Sequence, residues 1–302
     1  MNIRGPQQLE FNPGSWGVLE PGPFYRVRAI LWAIFLFLVV LGLFFASIYG
    51  ATWLGRRGVW FYAPAIALPA FGCFIYAVLV RRLEKRRAFE IAMTFHSLRD
   101  GFAGVVMGAA YITSMWLLLW ILQLYSVHRG VWTRWFDDLV FDSYISAVLE
   151  ELAFRAVLLR IFARMWGVPM GVFLSSVLFG LAHITHGSAL GVLGTLVAGV
   201  AMGLLYVISG RLWMSIGMHL GYDFIETSVL GVGSDHGLLV SVPRSGVPGW
   251  LTGGVFGPDA SILGMLIGLV LNIALWQIAF RKKRAACDAK SYNFCDSRGG
   301  GD

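Results

Sequence analysis

The chain has 302 residues, 57% of them hydrophobic and only 14% charged, with 37 glycines and 12 tryptophans. Soluble domains carry about a quarter charged residues, so this composition excludes an ordinary soluble enzyme and points to a membrane protein. The net charge of +7 does not imply a nucleic-acid partner, because the basic residues lie between apolar runs, where they act as topology signals.

In chain order, residues 1–28 are expected as a cytoplasmic N-terminal segment without the pattern of a cleaved signal peptide. Apolar runs follow at 29–50, 59–80, 102–126, 144–163, 168–186, 188–209, 212–230 and 259–280. A helix needs about 20 residues to cross the hydrocarbon core, so the expected fold is an all-α polytopic bundle of about eight transmembrane helices. The fifth and seventh runs are short, and the fourth is the most polar. The chain divides into a three-helix part, 29–126, a motif-bearing membrane part, 127–284, and a tail, 285–302, expected to lack structure.

Basic residues alternate between the loops. With both termini cytoplasmic, Arg4, Arg26, Arg28, Arg81, Arg82, Lys85, Arg86, Arg87, Arg99, Arg160, Arg164, Arg211 and the RKKR at 281–284 face inward. Only Arg56, Arg57, Arg129, Arg134 and Arg244 face outward. This bias favours an even number of spans with both ends in the cytoplasm, and the expected location is a bacterial inner membrane. RKKR also suits contact with anionic headgroups. Cys73, within an apolar run, suits packing, and Cys287 and Cys295 form neither a metal spacing nor a disulfide pattern.

Two loops are more than connectors. Residues 127–142 mix Trp132, Trp135 and Phe136 with charges, as an interfacial segment would. Residues 231–258, rich in glycine and proline, are either a linker or a lid. The glycines of the sixth run, Gly191, Gly194, Gly199 and Gly203, suit close helix packing in lipid.

The chemistry centres on LEELAFRAVLLR, residues 149–160. Glu151 and Arg155 are four apart and share a helix face, so they can pair. Glu150 lies about 100° around the helix and needs a partner on another helix, a wet cavity or a proton. The fifth run carries FGLAHITHG, with Phe179, His183 and His186, and the seventh carries MHLGYD, with His219, Tyr222 and Asp223. Three apolar segments that each bring ionisable groups point to one shared polar site. HExxH and GxSxG are absent, so neither a soluble-type zinc protease nor a serine hydrolase is supported. A metal ion such as zinc on Glu150, His183 and His219 and metal-free acid–base catalysis are both open to these residues; the expectation is catalysis without a cofactor.

EELAFR fits EExxxR, Phe179 to His183 fits FxxxH, and His219 to Asp223 fits HxxxD. In this order, on separate helices, the three motifs resemble the CPBP family of CAAX-prenyl and bacteriocin-processing (Abi, Rce1-like) membrane endopeptidases. FGPDA at 256–260 is similar to an element before the family's last helix. The resemblance covers about residues 140–280. It implies an intramembrane endopeptidase acting on a membrane-anchored or prenylated peptide. By that resemblance Glu150 and His183 activate water, His219 and Asp223 stabilise the oxyanion, and Glu151, Arg155 and Phe179 support them. The charge bias puts His183 near the outer end of its run, whereas eukaryotic members open to the cytosol, so the access side does not follow from the sequence. A proton-coupled transporter and a non-catalytic scaffold of the same fold are the competing classes. The first half lacks a counterpart of EExxxR, which argues against a repeat-built transporter.

Overall fold

A computed structural model describes residues 17–53, 59–184 and 188–296, with backbone alone over 281–296. Arg4, Arg56, Arg57 and His186 lie outside the described residues. The chain is almost entirely helical. The helices α1 (Tyr25–Trp53), α2 (Val59–Leu79, extended by a π turn over Val80–Glu84) and α3 (Phe95–Ile121) come first, followed by strand β1 (Tyr125–Arg129). Next comes α4, a continuous helical run in which α and π windings alternate through Trp135–Asp137, Asp138–Tyr144, Ile145–Glu151, Leu152–Leu159 and Arg160–Trp166. Then follow α5 (Val168–Ala182), α6 (Ala189–Ser209), α7 (Trp213–Phe224, extended by a π turn over Ile225–Val229), strand β2 (Leu239–Pro243), the short α8 (Gly249–Thr252) and α9 (Ile262–Asp296).

Among the described residues, five helices are long and apolar enough to cross a membrane: Tyr25–Gly50, Trp60–Glu84, Phe95–Ile121, Ala189–Ser209 and Ile262–Phe280. This corrects the eight expected from hydropathy. Helices occupy the other three positions, but α4 carries Glu150, Glu151, Arg155, Arg160 and Arg164, α5 has 15 residues, and α7 has 12 before its π turn. These shorter or more polar helices are the ones that bear the motifs.

Two further expectations change. The tail expected to lack structure from residue 285 continues α9 to Asp296. Its Arg, Lys and Ala residues favour helix, and the glycine run begins only at Gly299. The loop at 231–258 contains β2, which pairs antiparallel with β1 from Tyr125 opposite Pro243 to Arg129 opposite Leu239. Trp132 Nε1 donates to Ser228 Oγ at 3.1 Å, and His236 Nε2 lies 3.1 Å from Asp138 Oδ1. The loop is thus bound to the segment taken for interfacial, in which Trp135 and Phe136 are exposed.

Glycine sets the central contact. At Gly104 and Gly108 of α3 an added Cβ would strike the carbonyl oxygens of Met214 and Met218 on α7. At Gly217 and Gly221 of α7 it would strike those of Gly101 and Val105 on α3. The two backbones therefore touch directly, as small residues permit in lipid. In α6, Gly199 packs on Phe179 and Ser176, and Gly203 on Leu159 and Val172.

Buried charge fastens the N-terminal helices to α4. Arg160 grips Glu84 through both terminal nitrogens at 2.9 and 2.6 Å. Arg86 donates to Glu84 at 2.7 Å and to both oxygens of Glu90 at 2.9 and 2.6 Å. Trp32 Nε1 donates to Glu84 at 2.8 Å, and the Tyr76 hydroxyl bonds Glu90 and the Ala156 carbonyl. Arg86 and Arg160, taken from sequence as cytoplasm-facing topology charges, are buried instead. Their partners are other buried charges, the condition under which such groups are tolerated.

Candidate active site

The motif residues come together where α4, α5 and α7 pack. Glu151 ends the Ile145–Glu151 winding, and Arg155 lies within the π winding Leu152–Leu159. Irregular helical windings of this kind recur at functional sites. Despite the change in winding, Arg155 Nη1 reaches Glu151 Oε1 at 2.9 Å. The same Glu151 oxygen lies 3.0 Å from His219 Nδ1. On the other side of the ring, His219 Nε2 is 3.3 Å from Asp223 Oδ2, one helical turn along α7. His219 therefore stands between two carboxyl groups, and Glu151 links α4 to α7 instead of bracing α4 alone.

His183 caps the end of α5. Its Nδ1 lies 2.8 Å from the Phe179 carbonyl oxygen. That oxygen can only accept, so Nδ1 carries the proton, and Nε2 faces Glu150 Oε2 at 3.9 Å. This separation is too long for a direct hydrogen bond and suits a shared water about 3 Å from each atom. Glu150 Oε2 has no hydrogen-bond partner among the described residues.

Phe179 is the hub. The Arg155 guanidinium sits 4.4 Å from its ring centroid, a cation–π distance. The His183 and His219 rings approach it edge-on at 4.9 and 5.9 Å, and Phe154 at 5.0 Å. Arg155 Nη2 also donates to the Gly199 carbonyl at 3.2 Å, which ties in α6.

The cluster has an open and a closed half. Glu150 and His183 keep 18% and 23% of their side-chain surface accessible, whereas Glu151 and Arg155 keep 0% and 1%. Solvent touches part of each side chain in the first pair, although Glu150 Oε2 itself is buried, and is kept from the second.

Of Glu150, His183 and His219, His219 is the one whose two ring nitrogens are both engaged. Both His219 nitrogens face carboxylate oxygens, and His183 Nδ1 is committed to Phe179. Among the described residues no three His, Cys, Asp or Glu side chains converge as metal ligands.

Sequence reasoning missed the Glu151–His219 contact and the acids Glu226 and Asp259. Glu226 was legible as a residue seven after His219 on the same helical face. Asp259 lies within the FGPDA element already noted for its resemblance.

No curated protein and no solved structure gives a significant match to the chain. Residues 132–225, the interval that holds EELAFR, FGLAH and HLGYD, match the family described as type II CAAX prenyl endopeptidase Rce1-like, the family their motifs resemble.

Proposed function

We propose that the protein is an intramembrane endopeptidase that hydrolyses a peptide bond in a membrane-anchored or prenylated protein. The observation that carries this is the 3.9 Å gap between Glu150 and His183 on the open side of the cluster. Peptide hydrolysis needs water, and lipid supplies little. A bundle that performs it must build a polar pocket which admits water and is sealed from the acyl chains.

In this reading a water molecule lies between Glu150 and His183. The His183 Nε2 lone pair accepts one of its hydrogen bonds, and Glu150 removes a proton as the oxygen attacks the carbonyl carbon. Charge then develops on the carbonyl oxygen. A carboxylate cannot donate to it, so the donor is the His219 Nε2–H, which points to Asp223 Oδ2 at 3.3 Å in the resting site and is shared with the oxyanion as it forms. Glu151 holds the opposite ring nitrogen, and Arg155 holds Glu151. Glu150 returns its proton to the leaving amine as the C–N bond breaks. This scheme runs without a resident metal, with both His219 ring nitrogens set against carboxylates.

The test is a cleavage assay on lipidated and transmembrane peptides, comparing wild type with Glu150→Gln and His183→Ala. Positioned acid–base groups contribute about 10²- to 10⁴-fold, so each variant is expected to lose at least that much rate. Equal cleavage by folded variants removes these residues from the chemistry. Proton-coupled solute uptake without peptidase activity favours the transporter instead. Stoichiometric zinc in the active protein, with activity lost on its removal and restored on its return, overturns the metal-free scheme.

A further inference from the structure

Behind Asp223 lies a second pair of acids that the scheme above does not use. His219, Asp223 and Glu226 follow one another at i, i+4 and i+7 along α7 and share a face. Asp259 meets Glu226 from the Pro258–Ala260 turn that precedes α9. Asp259 is only 7% exposed. Its Oδ1 and Glu226 Oε1 are both buried without a hydrogen-bond partner.

Both oxygens surround one point. A Cβ added to Gly257 would stand 2.6 Å from Glu226 Oε1 and 3.4 Å from Asp259 Oδ1. Gly257 has φ +128°, a backbone conformation that residues with a side chain rarely adopt. The bare glycine is therefore what lets two acids face one small space. The other groups that act on the pair are Tyr222 and Asp223 on α7, Tyr111 on α3 and Tyr125 next to it on β1, none of them basic. Among the described residues neither acid has an ion-pair partner.

Two carboxylates facing each other away from water, with no cation between them, do not both ionise; they titrate as one unit. Burial pushes the Asp259 carboxyl up to about 7, although hydrogen bonds from the backbone pull it down.

We propose that Glu226 and Asp259 hold one proton between them, and that this singly charged pair is a positioning device for the His219–Asp223 arm. Its one negative charge stands behind Asp223 and helps retain the protons that let His219 donate to the oxyanion. The catalytic part of this inference rests on the peptidase reading; the shared proton does not.

The experiment has two arms. The first is infrared spectroscopy near neutral pH in the Glu150→Gln background, which removes the Glu150 carboxyl. A protonated-carboxyl band is expected, and adding either Glu226→Gln or Asp259→Asn should make it titrate away at lower pH, because the remaining acid keeps its burial but loses its acidic neighbour. A band whose titration neither substitution moves overturns the shared proton, whatever the protein's activity. The second arm is the pH profile of cleavage with Glu150 intact. Each single amide leaves one negative charge in place, so its alkaline limb should stay near that of wild type. The double amide removes the charge and should move that limb to lower pH. A single amide that moves the limb as far as the double, or a double that leaves it unmoved, overturns the positioning role. Should Asp259→Asn fail to fold, Glu226→Gln alone still decides the band and the single-variant profile.

Discussion

Glu151 shows how one side chain can join two helices. A single oxygen meets Arg155 at 2.9 Å and His219 at 3.0 Å, so replacing Glu151 releases both. Hydrogen bonds between charged groups contribute about 1.5–3 kcal/mol, and Glu151→Gln is expected to lower kcat by roughly 10- to 100-fold with little change in KM. Steady-state kinetics on a cleaved peptide checks this, and a rise in KM at constant kcat would place Glu151 in substrate binding instead. The Glu151–Arg155 pair was legible in the sequence because a four-residue spacing is a property of any helix. The Glu151–His219 contact was not, because it depends on how α4 and α7 cross. The same limit hid Glu226 and Asp259: one lies on the face already marked by His219 and Asp223, but its partner comes from a turn more than thirty residues on in the chain.

At the scale of elements, the crossing of α3 and α7 and the charge clamp on α4 hold the motif helices in place. Gly108→Ala on α3 or Gly217→Ala on α7 would drive a methyl group into the facing carbonyl. Overpacking of this kind costs about 1–3 kcal/mol, so each substitution is expected to lower the thermal midpoint in detergent and to weaken cleavage by tilting His219 away. Gly42→Ala on α1, where nothing lies within 4 Å of the added Cβ, serves as the control for a general glycine effect. The clamp fails differently. Removing one member of a buried ion pair costs about 3–5 kcal/mol, so Arg160→Met should destabilise the bundle by that order.

The clamp also has an acid limit. Burial pushes the Glu90 carboxyl up, but the Arg86 guanidinium more than reverses this and holds it at about 2. A depressed carboxyl stabilises the fold above its unfolded value near 4.5 and loses that contribution as pH falls toward 2. Thermal midpoints should therefore fall through this window in wild type and fall less steeply in Glu90→Gln. The glycine-rich character of the sixth run was legible as packing. The clamp was not, because a positive-inside count treats every loop arginine as solvated, and burial depends on whether acids such as Glu84 and Glu90 meet it.

For the whole molecule, each of the eight apolar runs meets a helix, but among the described residues only five helices are long and apolar enough to cross a membrane, since the motif helices are short or charged. The basic loops gather at one end of the bundle. Arg160 meets Glu84, Arg211 meets Asp100, and the Trp213 indole donates to the Ala92 carbonyl. The β1–β2 ladder closes the opposite end. Positive-inside bias then predicts that the first end faces the cytoplasm. In a cysteine-free background, a membrane-impermeant thiol reagent added outside intact cells is expected to label Val131→Cys and not Arg87→Cys. The reverse pattern would invert the orientation and with it the side from which substrate enters.

The brevity of α5 has a consequence for the bilayer itself. Its 15 residues rise about 22 Å, while the hydrocarbon layer is about 30 Å thick. A helix of this length set across the bilayer would end at His183 several ångströms short of one surface, and lipids beside it would have to thin or tilt to follow. A dimple of this kind brings headgroups and their hydration shell down to the level of the histidine. Reactivity should then depend on membrane thickness: reconstitution into short-chain lipids and into long-chain lipids is expected to give the same fold with different turnover, because the distance water travels to His183 is set by the surrounding chains as much as by the protein.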